Sequence, residues 1–185
     1  IQAALQPQAV NAMSNISLTR SAYKSLGKDP SRYRPSAEAL IRRITQGKGI
    51  YQLNNVVDAL NLLSVTTGFS IGGYDADKIC GAAIMGIGCP NEPYEAIGRG
   101  MLNIENLPVF RDDIGAFGTP TSDSERTGVT PQTRRFLMVI IGFNGKQGIP
   151  EAMRQAISLL SQYAGAQNVE TAIVNRKTRN AVQNP

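Results

Sequence analysis

Histidine and tryptophan are absent from this chain, and only two cysteines occur, Cys80 and Cys89. Without histidine there is no Ser-His-Asp or Cys-His nucleophile system and no His-ligated metal. Two cysteines alone cannot complete a zinc site, and buried free thiols in a reducing compartment are the expected state. No apolar run approaches the ~20 residues of a membrane span. The amino terminus, IQAALQPQAV, has no basic segment followed by an apolar block, so it does not read as a signal peptide. The expected location is the cytoplasm. Basic residues never run five in a row; they occur as pairs, Arg42 with Arg43 and Arg134 with Arg135. Gly81, Gly86 and Gly88 open no helix, so nucleotide binding has little support. No cofactor is expected. Asp75 and Asp77 with Asp112 and Asp113 lack the spacing of a calcium loop, and no metal site is expected either.

At 185 residues the chain is long enough to bury a real core and reads as one domain, 1–185, with 178–185 as a frayed tail. The hydrophobic share of 42% and the charged share of 18% fit an ordinary globular protein. The net charge of +5 leans towards an anionic partner, weakly, because a solvated basic surface gives the same number.

Helical periodicity covers residues 8–26, with Ile16, Ala22, Tyr23 and Leu26 on one face and Gly27 able to end the helix. Pro35-Ser36-Ala37-Glu38 reads as a second helix start, with Ser36 as cap and Glu38 at the positive end of the dipole. Leu40, Ile41 and Ile44 form its apolar face. A third helix runs from Asn54 or Asn55 to Thr67. Asn55 and Asp58 resemble a capping box, Val56, Val57, Leu60 and Leu63 recur at helical spacing, and Gly68 closes the helix. The period then changes. Residues 69–74, 80–87, 94–97, 136–143 and 169–175 read as strands. A last helix starts at Pro150, with Met153, Ile157 and Leu160 inward.

The stretch 108–127, PVFRDDIGAFGTPTSDSERT, holds four carboxylates (Asp112, Asp113, Asp123, Glu125), two arginines and five hydroxyl residues. It leads into FLMVIIGF, an apolar run expected to be covered on both faces. Polar, turn-rich segments beside rigid elements often carry sites. The competing account is a surface hairpin whose Asp and Ser residues cap turns.

The order of segments carries a resemblance. YRPSAEALIRRITQGKGIYQLNNVVDALNLLSVTTGFSIGGYDADKI, then YEAIGRG, LPVFRDDIG and DSERTGVTPQT before an apolar strand, resembles the B3/B4 domain of the phenylalanyl-tRNA synthetase beta subunit, closest to its free-standing version. The resemblance covers residues 32–143. It implies an α+β, three-layer sandwich with a mixed, mainly antiparallel sheet and packed helices. It also implies contact with tRNA, at the acceptor end, and an editing pocket that hydrolyses mischarged tRNA. The chain has no room for amino-acid activation with ATP. Two departures bear on the editing specificity. The family's pocket histidine is matched here by Gly72, and its Gly-rich segment before the last strand by residues 119–124.

A concave pocket is expected between residues 72–75 (Gly72, Gly73, Tyr74, Asp75), Arg34 and residues 121–126. Gly72 and Gly73 would make room for a ligand. Arg34, before a helix start, would favour a carboxyl or phosphate oxygen. Thr121 and Arg126 would bind substrate, and Asp123 and Ser124 would orient an amino group or a water. The alternative is that Arg126 pairs with Asp112 or Asp113 and staples the loop. Arg42, Arg43, Arg134 and Arg135 are the expected phosphate contacts on RNA. With no Trp, base stacking has few platforms, so contacts to phosphates or the acceptor end should dominate. The rival to a tRNA-binding module, with or without deacylase activity, is a pocket for an amino acid or its analogue that never meets RNA. A purely structural or interaction domain is the third possibility.

Overall fold

The computed structural model describes residues 10–175. The class is α+β, with helices packed on small, mostly antiparallel sheets. A short 3-10 turn, Val10–Ala12, precedes helix α1 (Ser14–Ser25), followed by α2 (Ser36–Thr45) and α3 (Asn55–Thr67). Strand β1 (Ser70–Asp75) leads through β2 (Ile84–Ile87) to the short β3 (Glu95–Ala96) and β4 (Gly100–Met101). Then come β5 (Pro108–Arg111), β6 (Ala116–Gly118), β7 (Phe136–Ile141) and α4 (Ile149–Ala164). Strand β1 pairs antiparallel with β7, β2 with β5 and β5 with β6, while β3 and β4 form a separate ladder.

Helix α3 is set by its ends. The Asn54 side chain accepts the Val57 N–H at 3.0 Å, and Asp58 reaches back to accept the Leu53 N–H at 2.9 Å. The cap is Asn54, one residue before Asn55, and Asp58 reaches back one residue beyond it, so the pair does the work of a capping box without its spacing. Gly68, at φ +73°, ends the helix in the left-handed region. Leu60 and Leu63 then pack with Phe69, Ile71, Ile149, Ala152 and Ala156, and Phe136, Met138 and Ile140 of β7 close the cluster. Full burial of each such large side chain stabilises by about 1.5–3 kcal/mol. Helix α3 thus packs on the β1–β7 ladder as its stripe requires. Strand β7 is half-buried rather than covered on both faces: Phe136, Met138 and Ile140 pack into this cluster, while Leu137 and Val139 on the other face join none of the buried clusters.

Two further clusters complete the core. Ile16, Ala37, Ile41, Ile44 and Val65 join the first three helices, and Tyr23, Tyr94, Ile104, Leu107 and Val109 lie beneath the second sheet.

Several sequence expectations need correction. Residues 169–175 form no strand and are largely exposed. Of residues 80–87 only Ile84–Ile87 is a strand, and Gly81 before it is at φ +74°. Ser36 does not cap α2. Pro35 occupies the cap, and the Ser36 N–H instead donates to Pro120 O at 2.8 Å. In α4 the buried residues are Ile149, Ala152, Ala156 and Leu160, while Ile157 is exposed. Ala152 and Ala156 pack there in the same cluster as Leu60 and Leu63 of α3. Both cysteines are exposed rather than buried. Residues 8 and 9 and the expected tail at 178–185 lie outside the described residues. No described helix is long and apolar enough to cross a membrane.

Candidate functional site

Much of the 108–127 stretch lies inside the fold rather than on a surface hairpin. Val109, Phe117, Thr119, Thr121, Ser124 and Thr127 are all buried. Thr119 makes the turn after β6: its Oγ1 accepts from the N–H groups of Thr121 and Ser122 and donates to Ser122 O. Ser124 caps the following 3-10 turn, its Oγ accepting the Arg126 N–H at 3.3 Å. Two bridges anchor the segment, Gly118 to Asp123 and Ala96 to Ser124.

The segment's carboxylates part ways. Asp112 receives both ends of the Arg126 guanidinium, at 3.0 and 2.9 Å, and the N–H groups of Cys80, Ile114 and Gly115. Burial opposes its ionisation, but these donors outweigh burial and hold the carboxyl well below its usual range. Arg126 also donates to Lys78 O and Gly115 O. The staple weighed against the pocket reading is therefore present.

Asp123 has far less. Its Oδ2 accepts the Gly73 N–H at 3.1 Å. The residue is half-buried, and burial pushes its carboxyl from 3.8 up to about 7, against the opposing Gly73 N–H and Tyr74 hydroxyl. A carboxyl in that range exchanges protons near neutral pH. Beside it, the Tyr74 hydroxyl is buried; it faces Asp123 closely enough to favour the carboxylate but makes no hydrogen bond of full geometry. Burial and the Asp123 charge both raise its affinity for its proton.

The glycines do not leave room for a ligand, and this corrects the sequence argument. A Cβ on Gly72 would lie 2.0 Å from the Tyr74 oxygen, and one on Gly118 would lie 2.1 Å from it. Tyr74 itself fills the slot, its ring edge-on to Phe117 at 5.0 Å. On the opposite face of β1, a Cβ on Gly73 would lie 2.6 Å from Leu60 and 3.1 Å from Phe136. Alternation along the strand thus gives Gly72 to the tyrosine and Gly73 to the helix layer.

The expected pocket is brought together in part. Gly73 and Asp123 touch, and Tyr74 lies beside them. The Ser36–Pro120 bond draws the start of α2 to the Thr121 turn, where Thr121 Oγ1 bonds the Tyr23 hydroxyl at 2.9 Å and Tyr33 O at 3.4 Å. Arg34 turns to Glu38, with Nε 3.4 Å from its carboxylate. Asp75 caps the turn Ala76–Lys78 and accepts from Thr133 Oγ1 at 2.8 Å. Ser124 and Arg126 open instead onto a pocket of ≈ 380 Å³ that also includes Glu92, Tyr94, Glu95 and Met101. Glu92 is ion-paired with Arg111, whereas Glu95 has no ion pair among the described residues. Glu92 and Glu95 went unremarked in the sequence; their one signal is the turn-rich PNEPYEAIGRG.

The arginine pairs divide as well. Arg42 gives Nε to Glu38 and its outer nitrogen to Asn11, both at 2.8 Å. Arg43 stacks over Tyr51 at 3.9 Å. Arg134 and Arg135 are exposed, the latter paired with Asp77 at 2.9 Å. Sequence reasoning missed the role of Glu38, a fully buried carboxylate that collects Arg20, Arg34 and Arg42. The spacing of Glu38 and Arg42 was a usable signal, since they lie four apart on a helix. Arg20 reaches it only through the tertiary fold.

Among protein families, the B3/4 domain matches residues 18–183. No curated protein matches the chain. The match takes in most of α1 and every later helix and strand, including both carboxylates and the Ser124–Arg126 pocket. The chain belongs to the B3/4 domain family.

Proposed function

We propose that this protein is a tRNA-binding module related to the editing domain of the phenylalanyl-tRNA synthetase beta subunit, and that it deacylates mischarged tRNA in trans. The observation that carries the hydrolytic reading is Asp123. Its carboxyl, pushed to about 7, accepts the Gly73 N–H one residue before Ser124; Ser124 lines a ≈ 380 Å³ pocket, and Asp123 stands behind that lining. Glu95 supplies a negative group for the ammonium of an aminoacyl ester. Ser124 Oγ is held by the Arg126 N–H, and with no imidazole to take its proton, water is the better nucleophile. In this reading the ester reaches past Ser124 to Asp123: water oxygen bonds to the ester carbonyl carbon, the bond to the ribose oxygen breaks, and the water's proton passes through Asp123 to that oxygen. The products are the free amino acid and uncharged tRNA. Positioning and proton transfer supply the rate. Arg134 and Arg135 are the exposed candidates for RNA phosphates; Arg42 and Arg43 are more committed to the fold.

The test is a panel of mischarged tRNAs, scoring deacylation against the buffer rate. The rate should rise with pH through about 7 as Asp123 ionises. Asp123→Asn should lower it about 100-fold while far-UV circular dichroism is unchanged. Deacylation at the buffer rate across the panel would overturn the enzyme reading. RNA affinity should fall with salt, by a log–log slope of about 0.7–0.9 per phosphate. Binding of an amino acid with no RNA affinity would favour the small-molecule reading.

A further inference from the structure

A second pocket, of ≈ 340 Å³, lies beside the first and shares Met101 with it. Its lining includes Arg32, Tyr33, Arg99, Asn103 and Thr121, and it holds no carboxylate. Arg32 and Arg99 are both exposed. Among the described residues neither has an ion pair, whereas seven other arginines do. Asn103 is oriented by its amide oxygen, which accepts the Glu105 N–H at 2.9 Å and faces Lys28 Nζ at 3.5 Å. That arrangement leaves its NH₂ group free to donate.

Lys28 lies behind that lining, against Tyr33 and Asn103. Its ammonium lies 3.7 Å over the Tyr33 ring and donates to the carbonyls of Asn103 and Glu105 at 3.0 and 2.7 Å. Burial, then the Arg32 charge, push its pKa down, with Glu105 opposing.

We propose that Arg32, Arg99 and Asn103 form a phosphate-binding pocket next to the Ser124–Arg126 pocket. Planar guanidinium groups match phosphate oxygens, and unpaired ones need break no existing ion pair to bind them. Met101 is the divider between the pockets, 75% exposed. A ligand whose phosphate occupies the Arg32–Arg99 pocket can therefore place an ester or amine beyond Met101, against Ser124 and Glu95. A nucleotide at the end of an RNA strand has that form. The RNA source of the phosphate rests on the tRNA reading; the phosphate chemistry does not.

The experiment compares wild type with Arg32→Gln/Arg99→Gln, and with Arg134→Gln/Arg135→Gln as a control for general basicity. The first probe is a short, fluorescently labelled single-stranded RNA ending in CCA, followed by anisotropy over a salt series. The Arg32→Gln/Arg99→Gln variant should bind more weakly at low salt, with the log–log slope reduced by about 0.7, the share of one phosphate on a single strand. The second probe is adenosine monophosphate against adenosine, followed by nuclear magnetic resonance shifts of the arginine side-chain N–H groups. The nucleotide should shift the signals lost in the double variant, and adenosine should not. If wild type binds RNA and the double variant matches its affinity and slope, the proposal is overturned. If wild type ignores RNA but the nucleotide shifts those signals, the pocket stands and the tRNA reading falls. If neither probe binds, the pocket is overturned.

Discussion

Asp112 and Asp123 lie on one short polar stretch, have the same side chain and end in opposite states. Asp112 collects a bidentate arginine and three backbone N–H groups and stays ionised into strong acid. Asp123 receives one N–H, faces a buried tyrosine hydroxyl and is pushed to about 7. The number of donors, not the residue type, separates a structural carboxylate from one that can exchange protons at neutral pH. The first holds the loop in place so that the second can be held under-satisfied, a condition that costs stability and is found where chemistry is done.

The largest expected effect comes from breaking the satisfied side. Arg126→Met keeps the packing of the stem and leaves Asp112 charged without its partner. The loss should be about 3 kcal/mol by urea unfolding at neutral pH. Asp112 has a depressed pKa, so its stabilisation is present above the unfolded value of 3.8 and is lost as pH falls through the folded value. The gap between variant and wild type should therefore narrow in acid. A gap that is constant with pH would mean the pair is not the source.

Next is the slot that holds Tyr74 against Asp123. Gly118→Ala places a Cβ 2.1 Å from the tyrosine oxygen and should cost about 2 kcal/mol. An unchanged melting temperature would show that the ring has room to move and that the slot is not tight.

Asp123→Asn sharpens the comparison through its sign. The folded pKa is raised, so the wild-type contribution is fully present below 3.8 and lost as pH rises through about 7. The melting temperature of the variant, minus that of wild type, should become more positive between those values and level off above them. A difference that moves the other way would place Asp123 with Asp112.

The smallest effect belongs to Tyr74→Phe. Because the hydroxyl makes no hydrogen bond of full geometry and only faces Asp123, its removal should change stability by less than about 0.5 kcal/mol. Tyr23→Phe is the contrast: it loses the bond to Thr121 and should cost about 1 kcal/mol.

Some of this was legible in the chain. The α3 cap and its Gly68 stop are local, and they were found to within one residue because the groups that satisfy a helix end lie within a few positions of it. The staple between Arg126 and Asp112 was foreseen as one of two outcomes. The strand expected at 169–175 does not form, because a short β-branched run takes that form only when another strand offers its edge. The purpose of Gly72 was also misread. A glycine reports that something comes close, and the sequence does not say whether that is a ligand or the chain's own Tyr74.

By itself, then, the sequence determined the helices with their stops, the α+β class and the polar stretch before the last strand. It also carried the family, since the ordered segments run through most of the chain. Each of these rests on periods and caps that act over a few residues. Tertiary structure alone decided which carboxylate is fully paired and which is under-satisfied, that Glu38 gathers three arginines, and that Arg32 and Arg99, beside a pocket, have no ion pair among the described residues. Those outcomes depend on distances between groups far apart in the chain, and on the loss of water around them, neither of which is written in local order.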